Sequence, residues 1–144
     1  MTAVVDPDVL RQRLKRLEEY ISDLESVQQT SLKEFKDNKV LRRFVERTLQ
    51  LAMESCFDIG SHIISASGYR EPRFARDVFA ILAEHGWIDN ELARRLEGMA
   101  GFRNVLVHDY ATLDDDVVFG VLQTRLPDLR AFGTSILRKL AQNA

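Results

Sequence analysis

Covalent staples are what this chain most plainly lacks. It has a single cysteine, Cys56, which excludes an intrachain disulfide and a paired-cysteine zinc site. No apolar run approaches the length needed to span a bilayer. Met1-Thr-Ala-Val-Val gives way at once to Asp6-Pro7 and charged residues, unlike a signal peptide. These absences predict a soluble, cytoplasmic protein with no membrane association. Only three prolines and seven glycines interrupt the chain, and 29% of its residues are charged. With few alternating apolar runs, that balance favours helices over strands. An excess of one charge is missing too. The net charge is −2, so the chain as a whole does not carry the basic surplus of a nucleic-acid-binding domain, although local stripes can. A length of 144 residues suits one domain over 1–144 with a core of its own.

What is present is helical periodicity. Asp6-Pro7 has the form of a helix start, and Leu10, Leu14, Leu17, Ile21 and Leu24 follow in steps of four and three. Ser31-Leu-Lys-Glu34 has capping-box form and opens a short turn through Phe35. The longest helix is predicted from about Asn38 to a C-cap at Gly68, with Leu41, Phe44, Val45, Thr48, Leu49, Ala52, Cys56, Ile59, Ile63 and Ala66 in register. A third helix, with Pro72 near its first turn, should bury Phe74, Val78, Ile81 and Leu82 and stop at His85-Gly86. Asp89 or Asn90 caps a fourth. Asp114-Asp-Asp116 caps a fifth that should bury Val117, Val118, Val121, Leu122, Leu126, Leu129, Phe132, Ile136, Leu137 and Leu140, and that Pro127 must kink or restart. The expected architecture is an all-α, up-and-down bundle of about five helices.

The fourth helix ends in Gly101-Phe-Arg-Asn-Val-Leu-Val-His-Asp-Tyr110. Leu92, Leu96, Met99 and Leu106 mark its apolar face, and the same rhythm puts Arg103 and Tyr110 on that face. A charge at a core position is unfavourable unless paired or facing a wet cleft. Gly101, Asn104 and His108 fall together on an adjacent sector. The plainer account is structural: a histidine in a last turn complements the helix dipole, and an arginine pairs with a neighbouring acid. Against it stand two glycines, Gly98 and Gly101, each costing a helix about 1 kcal/mol relative to alanine. Such a cost is easier to understand where something must approach closely.

Three further features invite a function. Lys39, Arg42, Arg43 and Arg47 form a basic stripe, and Arg70, Arg73 and Arg76 a second cluster; a solvated face is the plainer account of both. Asp58 and His62, one turn apart, are either half of a metal site or a hydrogen-bonded pair inside the bundle.

Arg103-Asn-Val-Leu-Val-His108-Asp-Tyr110 matches a known signature of arginine, four residues, histidine, any residue and tyrosine. With Val45-Glu-Arg-Thr-Leu-Gln-Leu-Ala-Met, Asp58-Ile-Gly-Ser-His62-Ile, Arg70-Glu-Pro72, the acidic cap at 114–116 and Leu126-Pro-Asp-Leu129 around it, the chain resembles the HepT-like branch of the HEPN family over nearly its whole length. The resemblance implies a HEPN-like homodimer whose two motifs line one cleft. It implies a metal-independent ribonuclease, with no cofactor, acting as the toxin of a toxin–antitoxin pair. It also implies an antitoxin that is a minimal nucleotidyltransferase, moving AMP from ATP onto the motif tyrosine, here Tyr110.

Elementary chemistry agrees with that assignment. Metal-free RNA cleavage needs proton transfer near neutral pH, which suits His108, and a permanent cation on the phosphorane, which suits Arg103. Asn104 is placed to orient the imidazole or bind a phosphate oxygen, and Tyr110 to hydrogen-bond substrate. Two other readings remain open on sequence: a non-catalytic HEPN-like binding partner of a nucleotidyltransferase, and a metal-dependent enzyme built on Asp58 and His62.

Overall fold

The computed structural model describes residues 5–108 and 114–143, the side chains of 103–108 excepted. Among the described residues there are seven helices and no strand: α1 (Pro7–Ser26), α2 (Leu32–Asp37), α3 (Lys39–Ser67), α4 (Asp77–Glu84), α5 (Asn90–His108), α6 (Asp115–Thr124) and α7 (Leu126–Gln142). The expected bundle is there, with two refinements of its count. The short turn after Ser31 is a helix of its own, and the anticipated fifth helix is two. Helix α6 ends at Thr124, and α7 restarts with Pro127 in its first turn, where a missing N–H leaves no bond unmade. No helix among the described residues is long and apolar enough to cross a membrane.

Caps fix the ends where the sequence placed them. Asp6 Oδ1 accepts from the backbone N–H groups of Asp8 and Val9 at 3.0 and 3.4 Å. Ser31 Oγ accepts from Glu34 N, Asn38 Oδ1 from Leu41 N, and Asp114 Oδ1 from Asp116 N, at 3.1, 3.0 and 2.9 Å. Of the two candidates for α5, Asp89 is the cap, its Oδ1 accepting from Leu92 N at 2.7 Å. Gly68 closes α3 in the left-handed region at φ 71°, where a side chain would be strained.

The stripe residues of α1 and α3 meet in one apolar core that also takes in Phe35, Trp87, Leu92, Leu96, Met99, Phe132 and Ile136. Helix α3 is the spine of the bundle, packed against α1, α4, α5, α6 and α7. Its 29 residues make it roughly 43 Å long. Helix α4 crosses it closely at Gly60, where an added Cβ would lie 2.3 Å from Val78 Cγ1. Helix α4 begins at Asp77, not near Pro72. The Asp77 carboxylate accepts from Arg73 N and Phe74 N at 3.1 and 3.0 Å, holding those residues in a turn that precedes the helix. Phe74, expected in the core, is therefore 61% exposed on that turn. Val117 and Leu137, also expected inside, are exposed because α6 and α7 each bury a narrower face than their apolar residues could fill.

Both ends of α5 can be located along α3. At its start, Tyr69, just past the α3 C-cap, stacks on His85 with ring centres 3.5 Å apart and receives a hydrogen bond from Trp87 Nε1 at 3.1 Å. At the other end the chain re-emerges at α6, whose Asp115 and Asp116 pair with Arg42 of α3 and Lys36 of α2 at 3.8 and 2.7 Å. Helix α5 thus runs back along α3, carrying residues 103–108 toward the half of α3 that begins at Lys39. Midway, Arg95 Nε donates to the buried carboxylate of Asp128 on α7 at 2.9 Å, tying α5 to the returning helix.

Replacing Gly60 by alanine tests the α3–α4 crossing. Helix propensity alone would add about 1 kcal/mol of stability, but the Cβ has no room. Overpacking of about 1–3 kcal/mol should win because Val78 is buried and β-branched. Urea unfolding should show a lower midpoint with an unchanged slope; a raised midpoint would show that α4 yields.

Candidate functional site

Helix α5 is anchored through residues 92–102. Leu92, Ala93, Leu96, Met99 and Ala100 are buried against α3, α4 and α7. Arg103 takes the register position one turn beyond Met99, in the sector that holds Leu96. The opposite sector carries Arg94, Gly98 and Gly101, all exposed, and the helical register continues that strip to position 108. At 100° and 1.5 Å per residue, positions 103 and 108 are about 140° apart around the axis and about 7.5 Å apart along it. One copy of α5 therefore offers the two motif positions to different sides.

The two glycines are openings in that strip. A Cβ at Gly98 or Gly101 would meet nothing within 4 Å among the described residues, so neither glycine makes room for one of them. That is the opposite of Gly60.

The side chains of Arg103, Asn104 and His108 lie outside the described residues, as does Tyr110 altogether. The surroundings of their helix are described. Where α5 arrives, α3 carries Lys39, Arg43 and Arg47, all exposed, and Arg42, which donates to the carbonyl of Lys36 and pairs with Asp115. Glu46 stands among them. Burial raises its carboxyl above the ordinary range, Asp115 raises it further, and Arg42 and Arg43 pull it back. The second cluster sits at the far end of α3 and is occupied: Arg70 forks onto Glu84 at 3.2 and 2.6 Å, and Arg76 lies over the Phe74 ring at 5.2 Å.

Asp58 and His62 do not form the pair that sequence suggested. Asp58 is exposed, and the buried Nε2 of His62 has no hydrogen-bond partner. Among the described residues no three His, Cys, Asp or Glu side chains gather where an ion could be held. Cys56 is fully buried and burial pushes its thiol well up, which removes it as a nucleophile. Sequence reasoning passed over Asp128, buried at 8% exposure with Arg95 and Arg125 beside it. Its only signal was the Leu-Pro-Asp start of α7.

The described residues define an all-helical bundle with a glycine-lined helix end, and comparison with known proteins narrows the class. The profile of the family described as ribonuclease HepT-like matches residues 17–136. The chain belongs to the HepT-like ribonuclease family. It is 37% identical over 99 residues to the mRNA nuclease HepT of Shewanella oneidensis, covering 69% of this chain and 74% of that protein. To the tRNA nuclease HepT of Aphanizomenon flos-aquae it is 30% identical over 117 residues, covering 80% and 78%. Among solved structures it superposes with a TM-score of 0.84 and 31% identity on a tri-AMPylated HEPN toxin of Shewanella oneidensis in complex with an MNT antitoxin, covering 92% and 99%. The cytosolic protein YutE of Bacillus subtilis, at 20% identity and a TM-score of 0.86 over 99% and 95%, shares the fold.

The open glycines generate a prediction. Gly98→Ala and Gly101→Ala should each raise thermal stability, by up to about 1 kcal/mol, since each gains helix propensity without a clash. If the strip is approached by a second copy or by substrate, the same variants should lose cleavage or self-association. Variants that gain stability with both properties intact would show the strip to be idle surface.

Proposed function

We propose that this chain is a metal-independent endoribonuclease and the toxin of a toxin–antitoxin pair. The observation that carries the reading is the complete arginine–histidine–tyrosine signature at the end of α5 in a member of the HepT-like ribonuclease family. In it His108 moves protons and Arg103 stabilises charge on the phosphorane. The substrate's own 2′-hydroxyl attacks phosphorus, the bond to the 5′-oxygen breaks, and the products are a 2′,3′-cyclic phosphate and a 5′-hydroxyl. Asn104 orients the imidazole or holds a phosphate oxygen, and Tyr110 contacts substrate.

One histidine cannot readily be base and acid in a single step. Positions 103 and 108 leave the helix about 140° apart, so one copy of α5 offers them from different sides. A homodimer that brings two copies of α5 together supplies both, and the exposed Gly98–Gly101 strip leaves room for it. At micromolar concentration sedimentation should find a dimer.

Control runs through Tyr110. A nucleotidyltransferase antitoxin lets the tyrosine oxygen attack the α-phosphorus of ATP, with pyrophosphate leaving, and the added AMP blocks the cleft by charge and bulk. The solved relative that is AMPylated and held by an MNT antitoxin supports this. The alternative, a non-catalytic partner of a nucleotidyltransferase, has less support, because the two curated relatives are named as nucleases.

RNA cleavage by the unmodified protein is the test. His108→Ala and Arg103→Ala should each lose roughly 100-fold, about 2.7 kcal/mol of barrier, while staying folded. EDTA should change nothing. Tyr110→Phe should cut RNA yet escape the antitoxin in cells. An active His108→Ala protein would remove the catalytic assignment, and neutralisation of Tyr110→Phe would move control elsewhere.

A further inference from the structure

Helix α3 has a face that none of the described residues covers, on the half toward which α5 runs. Val45, Thr48, Leu49 and Ala52 turn into the core, whereas Val40 is 80% and Phe44 40% exposed. Lys39, Arg43 and Arg47 share that outer arc, and none has an ion-pair partner among the described residues. A face both cationic and aromatic is wasted on water: Val40 and Phe44 gain nothing there, and three neighbouring cations repel one another. Arg42, on the flank, is already committed to Asp115 and the Lys36 carbonyl. Acids are present too, with Glu34 and Asp37 beside an open groove of about 580 Å³ that Lys39 and Val40 also line, and Glu46 on the opposite flank.

The spacing selects the occupant. Lys39, Arg43 and Arg47 recur every fourth residue, so they step along the axis by about 6 Å. That is comparable to the separation of successive phosphates in an extended nucleic-acid strand. A ring between such cations is the arrangement that binds single strands, phosphates held by charge and a base stacked on the aromatic face. We propose that this face of α3 is a track for single-stranded RNA beside the α5 motif, with phosphates on Lys39, Arg43 and Arg47 and one base stacked on Phe44. The proposal deepens the ribonuclease reading and rests on it for the identity of the strand. Phe44 is a positioning residue: it holds RNA away from the reacting atoms, so its loss weakens binding without altering the chemical step.

The test is anisotropy of a labelled single-stranded RNA with the full chain, beside cleavage kinetics. Phe44→Ala should weaken binding and raise KM by roughly 5- to 100-fold, the scale of one base–aromatic stack, with kcat within about twofold. Phe44→Trp should restore it. With abasic sites replacing the bases, wild type and Phe44→Ala should bind alike. Changing Lys39, Arg43 and Arg47 together to glutamine should reduce the slope of log affinity against log salt by about 2, since each neutralised phosphate on a single strand contributes about 0.7. An unchanged slope, or equal losses on intact and abasic strands, overturns the track. So does Phe44→Ala dissociating a dimer in sedimentation, which would give the face to a second copy. Failure of the ribonuclease reading is separate: wild type would then cleave no RNA, while the binding measurements would still decide the track.

Discussion

The close approach of α4 to α3 at Gly60 sets where everything after it can lie. With no Cβ at that position, Val78 and Leu82 settle against the α3 backbone itself. Helix α4 is short, so its far end delivers Trp87 to Tyr69 at the C-terminal end of α3. From there α5 has only one way to go while burying Leu92, Leu96 and Met99, which is back along α3. A bulkier crossing would shift the start of α5 outward, and with it the position of every motif residue.

The other end of that path is set by charge instead of packing. Asp114 caps α6, and Asp115 and Asp116 beside it face Arg42 and Lys36. These pairs are largely exposed and individually weak. They act together with Gln28, whose side chain donates to the Leu122 carbonyl while its own carbonyl accepts from Gln123. The result returns the chain to α3 and α2 shortly after the motif, so the segment holding Tyr110 is bounded on both sides by anchored helices.

Much of this was legible in the sequence because amphipathic helices state their own faces. The α1 stripe, the α3 boundaries at Asn38 and Gly68, and the break at Pro127 all follow from periodicity and caps. The misses have a common cause, which is that periodicity marks a face without saying what will cover it. Phe74 fell in step with Val78 yet sits on a turn shaped by Asp77. Phe44 fell in step with Leu41 and Val45 yet points where no helix packs. The Asp58–His62 spacing was right for a pair, but one side chain is exposed while the other's nitrogen is buried. Asp128 was invisible because its partners, Arg95 and Arg125, are fixed only by the fold. Of the candidate site, the motif and the glycines beside it were readable as a pattern; that α5 carries them back toward the Lys39 half of α3 was not.

The near-neutral charge of the chain looked like an argument against nucleic acid, and the fold removes it. What matters to a polyanion is the local field within about a Debye length, ~8–10 Å, not the sum over the surface. Several acids here are committed to particular cations: Glu18 and Glu25 on Arg130, Glu84 on Arg70, Glu91 and Asp128 on Arg95, Asp115 and Asp116 on Arg42 and Lys36. Lys39, Arg43 and Arg47 enter none of these pairs, with Glu46 the acid beside them on the half of α3 toward which α5 runs, and Arg94 is exposed on the α5 strip. A chain with net charge −2 can thereby present a local group of cations on the half of α3 toward which α5 runs.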